Sequence, residues 1–413
     1  MTTKKIDELA FKMAFSKNKE KNHQKILALA LENKIIPASI NNLYMARAKN
    51  KARFNFCVPA INVRGMAYDW ARAVFKVARV KKVGVLVFEL ARSEMGYTDQ
   101  SPYEFAGVVM AAGLKEGFTG PLFLQGDHFQ VKASDKPGVP KKGEITTIKK
   151  LIKDSIKAGI YNLDLDLSTL VDYSKKKIID QQKVNYELAA KLTEYVRKLE
   201  PKGITISLGG EIGHIGGKNS TKEELVAYMK GYKKTLKKGL VGLSKMAIQT
   251  GTSHGGVPLA DGTLADVDVD FGCLKRLSQV SKKYGMGGTV QHGASTLPDK
   301  YFAEFVKSQA VEVHLATGFQ NIIMDHPKLP KVLLKKMYAW VDSKLQGERK
   351  EGWTEEQFHY KLRKKAWGKF KKEFWKLSET VKKPISLALE KRFAFMFKEL
   401  GVEETKDLVK KFT

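Results

Sequence analysis

Leu124-Gln-Gly-Asp-His-Phe129 ends a short apolar run, Pro121–Gly126, on an acid and a histidine side by side. Similar runs lie at Val58–Val63, Gly84–Glu89, Ile160–Asp166, Thr205–Glu211, Met246–Gly251, Gly288–His292 and Val311–Leu315. Longer amphipathic or charged stretches separate them, which is the rhythm of βα units in a parallel sheet. Such alternation suits an open doubly wound sheet as well as a closed barrel. The position of the reactive side chains separates the two, because a (β/α)8 barrel gathers its chemistry at the C-terminal ends of its strands. Here Asn62 stands near the end of the first run, Asp127 and His128 follow the third, and Asp166 and Glu211 end the fourth and fifth. His254 follows the sixth, His292 closes the seventh, and Thr317 comes just after the eighth.

The expected fold is therefore α/β, a (β/α)8 TIM barrel, and a chain of 413 residues is long enough for one such barrel with appended segments. The barrel is expected over 56–326. Residues 1–55, which include the basic stretch Tyr44–Arg53, read as a helical lead-in, and 327–413 as a Lys-rich helical extension. Trp340, Trp353, Trp367 and Trp375 all fall in that extension, and their spacing predicts an aromatic stripe docking it on the barrel or on a neighbouring subunit.

Composition narrows the class. No apolar run approaches the roughly 20 residues that cross a bilayer, so no membrane partner is expected. The first residues lack the apolar stretch and cleavage site of a secretory signal. Cys57 and Cys273 form no disulfide or metal pattern, and the expected location is a reducing cytoplasm. A net charge of +29 raises nucleic acid as a partner. The lysines are spread along almost the whole chain, often beside Glu, with no nucleic-acid-binding motif, so the charge reads as a solvated surface whose field draws anions.

Three histidines at three strand mouths, His128, His254 and His292, can converge on one ion, and three imidazoles with an open position make a catalytic zinc site. His23, His326 and His359 lie outside that pattern. His214, in the glycine-rich loop after Glu211, stays open between a site role and solvent exposure.

Asp127-His128, Glu211-Ile-Gly-His-Ile-Gly-Gly217, Gly251-Thr-Ser-His-Gly255, His292-Gly-Ala-Ser295 and Ala316-Thr317 resemble, in order and spacing, the signature segments of class II fructose-bisphosphate and tagatose-bisphosphate aldolases. The resemblance runs from about Val58 to Ile323, and its His-Gly-Ala-Ser and Ala-Thr forms lean toward the tagatose branch. It implies that His128, His254 and His292 bind Zn2+ or another divalent cation and that Asp127 is the acid/base at the hydroxyl beside the breaking bond. Asp166 and Glu211 match a second or alternate metal position, or stand behind the ligand histidines. A second metal or a monovalent cation is a further expected cofactor. Gly255, Gly293, Ser295 and Thr317 would grip phosphate through backbone N–H and hydroxyl groups, with Asn62 also on the substrate.

The implied reaction is reversible retro-aldol cleavage of a ketose bisphosphate, fructose 1,6-bisphosphate first, to dihydroxyacetone phosphate and glyceraldehyde 3-phosphate through a cation-stabilised enediolate. Tagatose bisphosphate or another ketose phosphate is the alternative substrate, and a non-catalytic aldolase-like subunit the alternative role. A homodimer or homotetramer is expected.

Three departures stand beside the resemblance. His314-Leu-Ala-Thr317 carries a histidine where relatives have asparagine. The loop Gly216–Glu224 lacks the Gly-Gly-x-Glu carboxylate, and Asn219 in its place is no base, which leaves Glu223, Glu224, His214 and His314 as candidates. Gly-Gly-Val-Pro follows His254 without the usual aromatic or lysine. A Schiff-base route through Lys245 is disfavoured because that lysine precedes the sixth run, at the wrong end of a barrel.

Overall fold

The computed structural model describes residues 3–50, 54–213, 218–251, 258, 259, 265 and 268–413. Nine parallel strands form one sheet: β1 (Ile35–Ala38), β2 (Val58–Asn62), β3 (Val87–Ala91), β4 (Gly120–Asp127), β5 (Asn162–Leu165), β6 (Ser207–Glu211), β7 (Lys245–Ile248), β8 (Thr289–Gln291) and β9 (Glu312–Leu315). From β2 onward each strand pairs with the next, and β9 returns to β2, Val58 opposite Glu312, so eight strands close a ring. These eight are the runs expected of a (β/α)8 barrel. Most of their residues are buried, as parallel strands are when helices cover the outside and side chains fill the inside.

Two details differ from expectation. The second run begins its strand at Val87 rather than Gly84, because Thr405 of the extension accepts hydrogen bonds from the Gly84 and Val85 amides, each at 3.1 Å, and occupies that backbone. The lead-in holds a strand as well as the helices Thr3–Phe15, Lys19–Glu32 and Asn41–Ala48. That strand, β1, pairs with the first half of β4, from Ile35 opposite Gly120 to Ala38 opposite Phe123, while β5 takes only Gln125 and Gly126. Asn162 stitches the junction, its amide donating to the carbonyls of Ala38 at 3.3 Å and Leu124 at 2.8 Å while its oxygen accepts from the Ile40 amide at 2.9 Å.

The extension docks on the barrel through its aromatics. Trp375 stacks on Tyr68 at 5.7 Å, Phe393 meets Phe319 at 4.8 Å, and Trp367 covers Gly65 so closely that a Cβ there would collide with the indole. Among the described residues no helix is long and apolar enough to cross a membrane.

Candidate active site at the barrel mouth

Asp127 is the last residue of β4, and His128 directly after it has φ of +40°, a left-handed conformation that costs a non-glycine residue about 1–2 kcal/mol. The sharp turn sends the two side chains different ways, and a hydrogen bond from the Phe129 amide to the Asp164 carbonyl at 2.8 Å holds it. The His128 Nδ1 then lies 3.2 Å from Glu211 Oε2, at the end of β6, and 3.4 Å from Asp166 Oδ2, just past β5. His292, following β8, stacks its ring on His128 at 4.3 Å. Asp166 is itself held by the amide of Ser168 at 3.0 Å, its hydroxyl at 2.7 Å and the Gln130 amide at 2.6 Å.

Asp127, His128 and His292 offer one ligand atom each within 4.8 Å of one another, as do His128, Asp166 and Glu211. Imidazole nitrogens and carboxylate oxygens about 3 Å apart suit a divalent ion with bonds of roughly 2.0–2.2 Å, so the donor set fits the expected metal. His254 and Gly255, the remaining expected ligand and phosphate contact, lie outside the described residues, as does His214.

The charge state fits the same reading. Burial, reinforced by Asp166, pushes the Glu211 carboxyl up to about 7. Burial alone would depress His128, but Asp127, Glu211 and Asp166 override it and hold the imidazole well above its usual range. Burial would likewise raise Asp166, yet hydrogen bonds to His128 and Ser168 keep it low. Protons and a bound cation would therefore compete for one pocket of negative charge.

A second charged layer lies deeper. His314 on β9 places Nδ1 2.9 Å from Glu89 and 3.3 Å from Asp127, with Nε2 2.6 Å from Glu312, and its ring sits 4.2 Å from that of His292. Lys245 opens β7 and points into the barrel rather than out of its foot, 2.9 Å from Asp164 and 2.5 Å from Glu312, with Gln125 accepting at 2.7 Å. Asp164 and Glu312 overcome burial and keep that ammonium charged, which withholds the free amine that a Schiff base needs. Tyr44, on the lead-in helix below, donates to Glu312 from the foot.

A cavity of about 150 Å³ opens above these layers. Of the expected residues, Asn62, Asp127, His128, His292, Gly293, Ser295 and Thr317 line it, whereas Asp166 and Glu211 face a larger adjoining hollow that shares His128. The Ser295 hydroxyl accepts from the Gly318 amide at 3.0 Å, and a Cβ on Gly318 would collide with the Ser295 carbonyl, so the loops after β8 and β9 pack directly on each other. Among the candidate bases, Glu224 closes a capping box, accepting from the Thr221 amide at 2.7 Å. Glu223 is exposed, and His314 lines the cavity.

Several lining residues were not anticipated, among them Glu89, Arg64, Glu94 and Lys364. Glu89 closes the second run as the sequence delimits it, so the strand-end rule could have found it, although the observed β3 continues to Ala91. Arg64 follows β2 and bonds to Glu94 at 3.0 Å and to the Thr317 hydroxyl at 2.9 Å; Glu94 also accepts from Asn62 at 2.5 Å. Lys364 comes from the extension, where burial and the neighbouring Arg64 push it down to about 8. Nothing local in the sequence around Lys364 signals this placement.

Comparison with known proteins agrees with this fold. Residues 44–383 match the family model described as fructose-bisphosphate aldolase class-II. No curated protein sequence matches the chain. Among solved structures, the YdjI aldolase from Escherichia coli K12 superposes with a TM-score of 0.53 at 14% identity, over 89% of this chain and 99% of that one. Fructose-bisphosphate aldolase from Campylobacter jejuni gives 0.52 at 16%, over 90% and 96%. The fructuronate-tagaturonate epimerase UxaE from Cohnella laeviribosi gives 0.60 at 13%, over 84% and 81%. At such identities these structures speak for the fold alone, while the family match spans most of the chain, barrel and site together: this chain belongs to the class-II fructose-bisphosphate aldolase family.

Proposed function

We propose that this chain is a divalent-metal-dependent lyase that cleaves a phosphorylated ketose between C3 and C4, fructose 1,6-bisphosphate being the first candidate and tagatose bisphosphate or another ketose phosphate the alternative. The observation that carries the reading is the convergence of Asp127, His128 and His292 on one small cavity whose wall also holds Gly293, Ser295 and Thr317. His128 and His292, joined by His254 and by Glu211 or Asp166, would hold the ion, with zinc as the expected metal. When bound, such an ion supplies Lewis-acid stabilisation of the charge that develops on the ketone fragment.

The chain's own residues do the rest. Asp127 accepts the proton of the C4 hydroxyl as that carbon becomes an aldehyde, and the electron pair of the breaking bond stays with C3, conjugated to the C2 carbonyl. Asp127 is buried on the cavity wall, where it can meet a substrate hydroxyl away from most of the solvent. Ser295, Thr317 and the amides around Gly293 receive one phosphate; Arg64 and Lys364 add positive charge on the same wall.

Cleavage of the two bisphosphates is measured on the purified chain before and after chelation, and again with zinc, cobalt or manganese restored. Activity that falls with chelator and returns with metal supports the reading, and the better sugar names the substrate. Cleavage that survives thorough metal removal, or metal-replete chain that cleaves neither sugar nor any other ketose phosphate, refutes it.

A further inference from the structure

We propose that a groove at the foot of the barrel binds a free amphipathic anion, a chain carboxylate whose apolar tail lies against Ile36, Ile204 and Phe412 and whose head sits among Lys34, Lys406 and Lys410. The groove encloses about 570 Å³, within the roughly 300–1,000 Å³ typical of small-molecule sites. It opens at the start of β4, whose far end carries Asp127, so the length of that strand, roughly 25 Å, separates it from the barrel mouth. The proposal is therefore independent of the metal and of the reaction.

The added strand β1 shapes the groove. It hydrogen-bonds β4 alone among the strands and lies beside the lead into β6, where the Ser207 amide donates to the Ser39 hydroxyl at 3.0 Å. Side chains alternate along a strand, so Ile35 and Pro37 are buried while Ile36 between them is 52% exposed, a large aliphatic group left facing water. The extension supplies a second wall and is fixed there. The Glu404 and Lys406 amides donate to the Lys81 and Lys82 carbonyls at 3.0 and 2.9 Å, and the Phe412 ring lies 6.1 Å from that of Phe54.

Charge selects the occupant. Three lysines line the groove and no acidic side chain does. Two of them meet at one corner: the Lys34 carbonyl accepts from the Gly120 amide at 2.7 Å, and the Lys406 ammonium donates to the Thr119 hydroxyl at 3.3 Å. Lys410 reaches Asp407 at 2.7 Å, and that carboxylate stands outside the groove. Such a rim favours an anion over a neutral or cationic ligand. The apolar lining is aliphatic apart from Phe412, which suits a flexible hydrocarbon tail. An added peptide strand fits poorly, because Pro37 has no N–H to offer it.

Calorimetry with dodecanoate, at about pH 8 and below its micellar range, should show one equivalent bound. Affinity should fall roughly three- to fourfold for each methylene removed in decanoate and octanoate. Dodecyltrimethylammonium, with the same tail and the opposite charge, should bind at least about tenfold more weakly. Ile36→Glu, and separately Lys34→Glu combined with Lys406→Glu, should each weaken dodecanoate by about tenfold or more. The chain-length and charge series use the wild type alone, so they decide the matter even where a variant fails to fold. Absence of binding by monomeric dodecanoate, affinity independent of chain length, or equal binding of the cationic homologue overturns the proposal. Binding confined to vesicles of anionic phospholipid also overturns it, in favour of a membrane-facing foot. A fall in sedimenting mass on Ile36→Glu, with no dodecanoate bound by wild type, overturns it in favour of a second copy of the chain.

Discussion

Replacing Lys364 with methionine should weaken anion binding and at the same time make the protein more stable. The ammonium sits half-buried on the cavity wall, and burial, aided by Arg64, brings it from 10.5 to about 8. A displacement of that size corresponds to at most about 3 kcal/mol against the charged form in the folded chain. An anion seated between Lys364 and Arg64 offsets that cost, so its removal should weaken binding of inorganic phosphate by roughly 10- to 100-fold. The unliganded variant, relieved of a desolvated charge, should gain up to about 3 kcal/mol and melt a few degrees higher. Between about pH 8 and 10.5 the unfolded chain holds a proton on this lysine that the folded chain has released, so wild-type stability climbs with pH across that window. The advantage of the variant is thus full below about pH 8 and closes toward 10.5. Thermal melts of both chains from pH 6 to 10, with and without phosphate, measure all of this. A variant that melts no higher than wild type at neutral pH and binds phosphate equally well would refute the reasoning.

Three further outcomes follow from the packing. Asn162→Ala removes the three hydrogen bonds that join β1, β4 and β5, and urea unfolding should show a loss of about 2–3 kcal/mol; a loss below about 0.5 kcal/mol would mean the junction is held by something else. Glu312→Gln breaks the buried pair with Lys245 and should cost about 3–5 kcal/mol in the same assay, and an unchanged midpoint would show that Asp164 alone suffices for the lysine. Trp367→Ala empties the contact with Gly65 and Phe374 and loses the bond to Gln320, at a cost of about 3–5 kcal/mol. Native trypsin should then cut near Lys364, Lys365 or Lys369 faster than in wild type; equal rates would mean the segment is anchored without the indole.

The ring of strands was legible because each run is apolar on both faces and stops at a residue such as Asp127, Asp166 or Glu211, a pattern with a physical cause in the barrel geometry. Periodicity does not reveal β1, since four residues containing Pro37 have no measurable repeat, and their partner is half of a strand already assigned to the ring. In the site, the strand-end rule brought Asn62, Asp127, His128, His292 and Thr317 to one cavity. It applies equally to Glu89, the last residue of the run Gly84–Glu89, although the observed strand continues to Ala91. Lys245 shows the rule's limit: being at the start of a strand puts a residue low in the barrel, but a long side chain directed inward still reaches the charged layers above. Arg64 and Lys364 were out of reach for a different reason. Their roles depend on how a distant segment folds back over the mouth, a long-range contact that no local pattern records.

That last segment has a consequence for how the protein is made. A ribosome that has just completed β9 still has about fifty residues to add before Lys364, and at roughly 5–20 residues per second the delay is several seconds. During that interval the nascent chain can already close its ring, yet the charged mouth lacks one wall and Gly65 lies without its indole cover. Acquisition of the proposed cation could therefore precede completion of the wall that carries Lys364, and the order of events at the site would be written in the order of translation.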